Sequence, residues 1–513
     1  MASITPDTYI KLVRFDATKE HQITFTDKLE QYNYFASLGG LVLDDFTYQR
    51  KEGVIRANYV FDNLQQYNYL FYQNSAYSNK VYFCYIKNMT YLNDGCTAIE
   101  IEEDVFQTWQ FDVQYKNMFV EREHVDDDTI GKHTIQEGLQ LGEYICEKTE
   151  KYDGFDTLVY VLLVTKWKDG SDTSGSIDFG KTPYMGGAYV IRDFYYFSQI
   201  IAEYDAGGIP GAIYGAYIVP MNMINVSQEL IDGTKPFEQY LGQQTPKTEY
   251  FHTDKPSTIN GYTPKNNKLF CYPYRYLLLS NNNGSSNILH YERFKDEDCY
   301  FKITGIPTIG TSIKICPDSY DVLGANEEQG IMAGKFPPLN WFTDEFTVWC
   351  VQNANNINLG ILYGSLQVGL GVAGGNIEQA MGGIGQVLGT MQDVAYNKMF
   401  DVPSSKGNTN GGDINLSNDA NTFYFYKMSI KKEFAKLIDN YLSVYGYKVN
   451  EWKIPNLHSR KNWNYVKTID AIIESNVVPD KDLNEFKALF NNGITLWHST
   501  LTFLDYTQSN NII

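Results

Sequence analysis

Basic residues and paired cysteines are both scarce in this sequence. Among its 513 residues, 42 are Lys or Arg and 61 are Asp or Glu, which gives a formal net charge of -19. Phosphate binding relies on clustered Lys and Arg, so this balance argues against a protein that wraps nucleic acid in a basic groove. The same balance is compatible with a conduit along which DNA slides without adhering.

The cysteines and the N-terminus indicate the compartment in which the chain matures. The seven cysteines are scattered, odd in number and never spaced as CxxC, which argues against a zinc site or a disulfide framework. The opening residues, MASITP, lack the basic start and apolar run of a signal peptide. We therefore expect a chain that matures in a reducing cytosol.

Familiar catalytic motifs are absent as well. The sequence contains no nucleophile elbow, no HExxH, no Walker loop and no dinucleotide-binding glycine loop after a strand. Its seven histidines are widely spread, and their spacing indicates no Ser/His/Asp or Cys/His grouping. We expect a protein that is not an enzyme and that needs no cofactor.

One acidic stretch with histidines, EREHVDDDTIGKH at residues 121–133, has side chains that could ligate a metal ion. Its carboxylates would suit Ca²⁺ or Mg²⁺, whereas its two imidazoles would suit Zn²⁺, so the set is chemically mixed. We favour a solvated loop between strands with no metal bound. A second acidic run is expected to lie on the outer face of an alternating strand. The candidate ligands of the first stretch are Glu121, His124, Asp126, Asp127, Asp128 and His133, and the second run is Glu100, Glu102, Glu103 and Asp104.

The composition predicts a mainly β fold with an α+β insertion. Aromatic residues make up 15% of the chain, and they favour half-buried sheet surfaces. Residues 1–165 are expected to form short strands, such as YIKLVRF, GVIRANYVF, KVYFCYIKN and CTAIEIEEDV. The apolar run LVYVLLVTKW at 158–167 is typical of a strand buried on both faces. A helix predicted over 193–203, the strand YGAYIVPM and many turn signals indicate an α+β unit over 166–338.

Three further helices are predicted towards the C-terminus. One connecting helix is expected over 339–352, after two prolines. Ser429 is expected to cap the helix IKKEFAKLIDNYLSVYG, which ends at Gly446, and the last helix is expected from Asp482 to Gly493. The apolar face of the capped helix is predicted to contain Ile430, Phe434, Leu437, Ile438, Tyr441 and Leu442. The last helix is predicted to bury Leu483, Phe486, Leu489 and Phe490.

The segment 346–392 has a single charged side chain, Glu378. The part at 359–390 is long enough for a membrane helix, but about a third of it is Gly, which costs about 1 kcal/mol per residue in a helix. Its small-xxx-small spacings let helices approach closely in lipid. From composition alone, a membrane-active segment is as well supported as a buried helical hairpin or a disordered glycine loop.

Several strings, taken in order, carry a resemblance to a known family. They are QNSAYSNK, DVFQTWQFDV, REHV and TIQEGL between 73 and 139, and YGYKVN, PNLHSRKNWNYV and NNGITLWH between 445 and 498. Together they resemble the distal tail knob, or tail tube, proteins of short-tailed Picovirinae-type bacteriophages (Salasvirus and relatives). The resemblance is dense over 65–140 and 425–498 and weak over 166–340.

The resemblance implies a six-fold tube, built from tail-tube-like β domains at both chain ends, with an inserted knob domain. It also implies a hydrophobic loop in each subunit that plugs the lumen and later forms a pore for DNA in the host membrane. The expected domains are 1–165 (N-terminal tube), 166–338 (knob), 339–352 (connecting helix), 353–421 (hydrophobic loop and polar linker) and 422–513 (C-terminal tube segment). The expected membrane-active residues are Leu359, Ile361, Leu362, Leu366, Val368, Leu370, Val372, Ile377, Met381, Ile384, Val387 and Leu388.

The same resemblance implies the partners and the location. We expect a homohexamer in the distal tail of the virion, assembled in the host cytoplasm. It would contact other tail proteins (lower collar or tail tube, tail tip) and the host cytoplasmic membrane, while phage DNA passes through without sequence-specific binding. The alternative function is a receptor-binding tail adhesin that recognises a host cell-wall polymer.

Overall fold

The computed structural model describes most of the chain outside the apolar segment and the linker after it. The described residues are 8–46, 53–75, 78–154, 157–164, 187–193, 195–197, 200, 213–239, 247–281, 285–305, 313–321, 330–332, 338–339 and 422–513. Contacts divide the chain into two compact units. The terminal unit comprises Met1–Gln140, Pro264–Leu269 and Glu433–Ile513, and the central unit comprises Leu141–Thr263 and Phe270–Lys432.

The terminal unit is built from both ends of the chain. Its helices are α1 (Lys28–Ser37), α2 (Phe61–Leu64), α3 (Val105–Trp109), α5 (Lys432–Tyr445) and α6 (Asp480–Asn492). Its strands, numbered along the chain, are β1 (Thr8–Val13), β2 (His21–Ile23), β3 (Gly40–Phe46), β4 (Val54–Ala57), β5 (Tyr69–Asn74), β6 (Val81–Asn93), β7 (Cys96–Glu103), β8 (Gln114–Tyr115), β9 (Met118–Glu123), β23 (Tyr447–Lys453), β24 (Trp463–Ile469), β25 (Ile473–Glu474) and β26 (Ile494–Trp497).

Two larger sheets organise the terminal unit. The first has the order β3-β1-β5-β6-β7-β4, and the second has the order β2-β26-β24-β9-β23. In the second sheet β2 pairs in parallel with β26, so the first and the last strand of that sheet along the chain are neighbours. Phe15 stacks on Phe503 at 5.5 Å between ring centroids, and buried Trp463 and Trp497 belong to the same apolar cluster as Phe15. The two chain ends therefore share one core.

The central unit is also mainly β. It contains the short helix α4 (Gln228–Asp232), and its 3₁₀ turns include Met221–Met223 and Tyr291–Arg293. Its strands are β10 (Tyr144–Lys151), β11 (Leu158–Val164), β12 (Gly187–Ile191), β13 (Ile213–Pro220), β14 (Phe237–Gln239), β15 (Lys247–Asp254), β16 (Arg275–Ser280), β17 (Ser286–Leu289), β18 (Asp298–Gly305), β19 (Lys314–Pro317), β20 (Ile331–Met332), β21 (Pro338–Leu339) and β22 (Tyr424–Ile430).

Three sheets form the central unit in its described residues. Their orders are β10-β22-β16-β17, β14-β12-β11-β13-β21 and β15-β18-β19-β20. Strand β11 lies inside its sheet, and Val159, Val161 and Leu162 are fully buried, which confirms the expected strand over its described part. Residues 195–197 and 200 are helical, as expected for part of 193–203. The contacts separate the units near residue 140, whereas the sequence analysis expects a domain border at 165.

The predicted capping role of Ser429 is wrong. Ser429 lies in β22, which pairs with both β10 and β16. The sequence pattern at residues 429 and 430 also fits a helix, but hydrogen bonding to the two neighbouring strands keeps them in the sheet. Helix α5 begins two residues later than Ile430, and it buries Ala435, Ile438, Asp439 and Leu442. Leu437, which was expected on the apolar face, is 66% exposed.

The ends of the last two helices follow the predicted signals. Gly446 follows α5 with φ +66°, and Gly493 follows α6 with φ +98°, both conformations that favour glycine. Helix α6 buries Asp482, Phe486, Leu489 and Phe490. The last three match the predicted apolar face, while Leu483 is only partly buried.

Candidate functional site

The twelve predicted membrane-active residues, together with the connecting helix expected over 339–352, fall almost entirely outside the described residues. All of the loop from 353 to 421 is outside them. Within the parts of the chain that the structure describes, no helix is long and apolar enough to cross a membrane. The acidic stretch 121–133 and the strings that meet it lie within the described residues.

The solvated-loop interpretation of 121–133 is wrong for its first half. Strand β9 continues through Glu123, and Arg122, Glu123 and His124 are all buried. Glu123 accepts hydrogen bonds from Lys453 Nζ at 2.7 Å and from the backbone N–H of Asn456 at 2.8 Å. Burial nevertheless raises the pKa of Glu123, and the hydrogen bond from Asn456 and the charge of Lys453 oppose that rise.

His124 is held as a neutral imidazole. Its Nδ1 accepts the backbone N–H of Tyr465 at 2.8 Å, and its Nε2 lies 3.1 Å from the carbonyl oxygen of Ser443, to which it donates. Burial, followed by the nearby charge of Arg460, lowers the pKa of His124 to about 3. Since both ring nitrogens are already engaged, this histidine has no lone pair to offer a metal.

Glu137, from the string TIQEGL, is the centre of a buried charged group that we call the Glu137 cluster. Its carboxylate bridges Arg122 and Lys268, and the three side chains are at most 10% exposed. Glu137 also accepts the backbone N–H of Lys448 at 3.0 Å. Arg122 donates in addition to the carbonyl of Gly446 at 2.8 Å. A carboxylate with several donors stabilises two cations that would be costly to bury alone.

A six-residue strap, Pro264–Leu269, belongs to the terminal unit although the chain on both sides belongs to the central unit. The carboxylate of Asp439, fully buried on α5, accepts the backbone N–H groups of Lys265 at 2.8 Å and Asn266 at 3.1 Å. Asp128 accepts the N–H of Asn267 at 3.1 Å. Adjacent Lys268 is a member of the Glu137 cluster. Each acidic contact therefore fixes one residue of the strap.

Asp127 and His133, in the second half of 121–133, have partners within the stretch itself. Asp127 accepts a hydrogen bond from Lys132 at 2.7 Å, and its carbonyl lies 2.9 Å from Nε2 of His133. Among the described residues, no group of three or more His, Cys, Asp or Glu side chains is placed to hold a metal ion. The polar side chains of this stretch therefore form hydrogen bonds and ion pairs within the terminal unit. That the stretch needs no metal ion stays a prediction.

Asp104 was expected on the outer face of a strand, and that expectation is wrong. It is 2% exposed and caps α3 by accepting the N–H groups of Phe106 and Gln107. It also accepts hydrogen bonds from Tyr69 Oη at 3.0 Å and from Gln22 Nε2 at 3.1 Å. The alternation of inward and outward side chains along β7 ends at Glu103, where the chain enters α3. The side chain of Asp104 therefore points inward.

The strings that resemble the phage family come together in space within the terminal unit. Lys80, from QNSAYSNK, lies 3.4 Å from the ring centroid of Trp109 and 2.7 Å from Asp112, both in DVFQTWQFDV. The strings REHV, TIQEGL and YGYKVN meet at the Glu137 cluster. PNLHSRKNWNYV meets REHV through Asn456 and Tyr465. The named residues of these strings therefore hold neighbouring segments of the terminal unit together.

Comparison with known proteins identifies the class. Residues 6–114 match the family described as the N-terminus of the caudoviral major tail protein. Residues 240–511, more than half of the chain, match the C-terminal domain of the tail knob protein gp9 of Bacillus phage phi29. The first match covers all six strands of the larger sheet of the terminal unit. These matches define a structural protein of a bacteriophage tail.

The chain belongs to the family of phage tail knob proteins represented by gp9 of phage phi29. It is 23% identical to gp9 of phi29 over 93% of each chain, and 24% identical to gp9 of Bacillus phage PZA over 93% of each. Its fold is similar to that of the tail knob protein gp12 of bacteriophage C1. That comparison has a TM-score of 0.66 at 15% identity and covers 99% of this chain and 100% of the other.

Proposed function

We propose that this tail knob protein forms the distal conduit for genome ejection and that its segment 346–392 plugs the lumen and then penetrates the host membrane. The single observation that carries the proposal is compositional. A chain of net charge -19 contains 47 consecutive residues with one charged side chain, Glu378. Water-exposed apolar surface of that extent is unfavourable, so the segment needs a sheltered place before it meets lipid.

The proposed insertion requires several copies of the chain. A single segment would expose the polar groups of Asn376, Glu378 and Gln379 to hydrocarbon, which costs several kcal/mol each. Copies arranged in a ring can turn these groups towards one another or towards a water-filled pore. We therefore include a homohexamer in the proposal, with DNA passing through a lumen that it does not bind sequence-specifically.

Deletion of residues 359–390 tests this function. The described core of the terminal unit is built from residues towards both chain ends, so the deletion protein is expected to fold and to assemble. Mass photometry should give six chains per particle for both proteins. Wild-type protein treated with mild acid or low denaturant should release dye from liposomes, and the deletion protein should not.

Two results would contradict the proposal. Equal dye release by the deletion protein would show that the segment does not perforate membranes. Failure of the deletion protein to fold or assemble would show that the segment is part of the structural core.

A second candidate function, an adhesin that recognises a host cell-wall polymer, is favoured by one described surface. The central unit exposes Tyr250 to 64% and Tyr300 to 38% on neighbouring strands. Exposed aromatic rings on a sheet are suited to binding through their faces. Retention of the purified protein on host cell walls tests this candidate.

A further inference from the structure

The outward face of the sheet β15-β18-β19-β20 combines aromatic, hydroxyl and carboxylate side chains. Strand β15 alternates, so Phe251 and Thr253 point towards the core while Tyr250, His252 and Asp254 are exposed. On β18, Tyr300 is exposed between the buried Cys299 and Phe301. Side chains of one face alternate with those of the other along a strand, so the exposed groups share one surface.

The antiparallel register arranges the edge strand β15 and its neighbour β18 in four rows. Thr248 pairs with Thr304, Tyr250 with Lys302, His252 with Tyr300, and Asp254 with Asp298. In the third row, the rings of His252 and Tyr300 stack at 5.6 Å between centroids and 28° between planes. Successive rows are about 7 Å apart, so the four rows extend over about 20 Å.

This face is held rigid from behind. Phe251 stacks on Phe425 at 4.5 Å between centroids, and Thr253 Oγ1 donates to Glu150 at 2.5 Å. Asp254 forms a 2.7 Å ion pair with buried Lys427, whose hydrogen bond lowers the pKa of that carboxyl. The carboxylate therefore stays ionised and in place at the end of the face, and little ordering is needed before a ligand binds.

We propose that this face binds a neutral polysaccharide, with Tyr250 and Tyr300 as stacking platforms for sugar rings. The C–H faces of a pyranose pack on the electron-rich faces of aromatic rings. The threonine hydroxyls can donate and accept hydrogen bonds with the hydroxyls of a sugar, and the carboxylates of Asp254 and Asp298 can accept them. This inference rests on the second candidate function and names its ligand class and its residues.

Charge selects the neutral polymer over an anionic one. The charges on this face are balanced: Asp254 and Asp298 lie opposite each other, while Lys302 lies opposite Tyr250 and Lys314 opposite Thr304. A phosphodiester wall polymer would find no excess of positive charge here, and the net charge of the whole chain is -19, whereas a neutral chain of sugars needs no counter-charge. The groups on the face complement hydroxyls and apolar ring faces, which are the two features of a neutral polysaccharide.

The test uses the full-length protein and two purified wall fractions, neutral polysaccharide and phosphodiester polymer, in affinity gel electrophoresis. Wild type should be retarded by the neutral fraction only. Tyr250→Ala with Tyr300→Ala should weaken the apparent affinity at least about tenfold, equivalent to about 1.4 kcal/mol. Tyr250→Phe with Tyr300→Phe should stay near wild type because the rings remain. Tyr91→Ala, at a tyrosine 53% exposed in the terminal unit, is the matched control.

Four results would overturn the inference. They are no retardation of the wild type, retardation by the phosphodiester polymer alone, equal binding by the double alanine variant, and a change in particle mass caused by that variant. The last would show that the face is a contact between copies of the chain. Dye release and six-fold assembly, measured on the same proteins, should be unaltered, so failure here is distinguishable from failure of the conduit proposal.

Discussion

Replacing Gly446 with alanine should destabilise the terminal unit strongly. Gly446 joins α5 to β23 with φ +66°, a conformation that side chains rarely adopt. An added Cβ would lie 2.2 Å from the carbonyl oxygen of Glu123 and 2.6 Å from the backbone nitrogen of His124. These are backbone atoms of the neighbouring strand, so no side-chain rotation can relieve the overlap.

Two costs add in this variant. The left-handed conformation costs about 1–2 kcal/mol for a residue with a Cβ. Displacing the packed backbone around Glu123 costs about 1–3 kcal/mol more, the usual range for overpacking. We therefore expect the free energy of unfolding to fall by about 2–5 kcal/mol.

Equilibrium denaturation followed by tryptophan fluorescence measures the loss, since Trp463 and Trp497 are buried in this unit. Two glycines of the same unit are matched controls. Gly138 has φ +73° and open space around it, so Gly138→Ala isolates the conformational cost of about 1–2 kcal/mol. Gly39 also has open space and should be nearly neutral. If Gly446→Ala loses no more than Gly138→Ala, the steric argument is refuted.

Three further results are expected. Glu137→Gln leaves Arg122 and Lys268 buried without their counter-charge, so denaturation should show that the free energy of unfolding falls by about 3–5 kcal/mol. A fall of less than about 1 kcal/mol would mean that water solvates the two cations in the variant. Burial lowers the pKa of His124 to about 3, so between pH 6.5 and pH 5 this histidine takes up a proton in the unfolded chain but not in the folded one. Its contribution to stability should therefore fall by about 1.6 kcal/mol over that range. A His124→Gln variant should lose part of that slope, and an unchanged slope would assign it to other groups. Chelator treatment should leave the denaturation midpoint unchanged, and a lowered midpoint would reveal a metal near 121–133.

The features that the sequence predicted correctly depend on neighbours in the chain. Helix α6 shows its apolar spacing and its terminal glycine within fourteen residues, and Gly446 marks the end of α5 in the same way. Strand β11 is a continuous apolar run, which a central strand requires. Helix α1 was missed although its signal is present, since Asp27 accepts the N–H of Glu30 and Glu30 in turn accepts the N–H of Thr26.

The features that were missed depend on residues far apart in the chain. The strap residue Asn266 is fixed by Asp439, 173 positions away. The hydrophobic periodicity of the sequence does not indicate a contact between residues so far apart. His124 was considered as a metal ligand because its sequence neighbours are acidic. Its actual partners, Ser443 and Tyr465, belong to the other end of the chain. Burial of Asp104 likewise depends on Gln22 and Tyr69, which only the folded sheet brings near.

Placing two charges in the apolar segment tests the conduit proposal most directly. Leu370→Asp with Val372→Asp should cost about 2.5–3.5 kcal/mol per charge at bilayer depth, repeated in every copy of the ring. Asn408→Asp with Asn410→Asp adds the same charge to the polar linker and is the matched control. In dye release from liposomes after mild acid or low denaturant, wild type and control should leak while the apolar-segment variant does not, with all three still six-fold by mass photometry. Leakage by that variant at the wild-type rate would contradict the account.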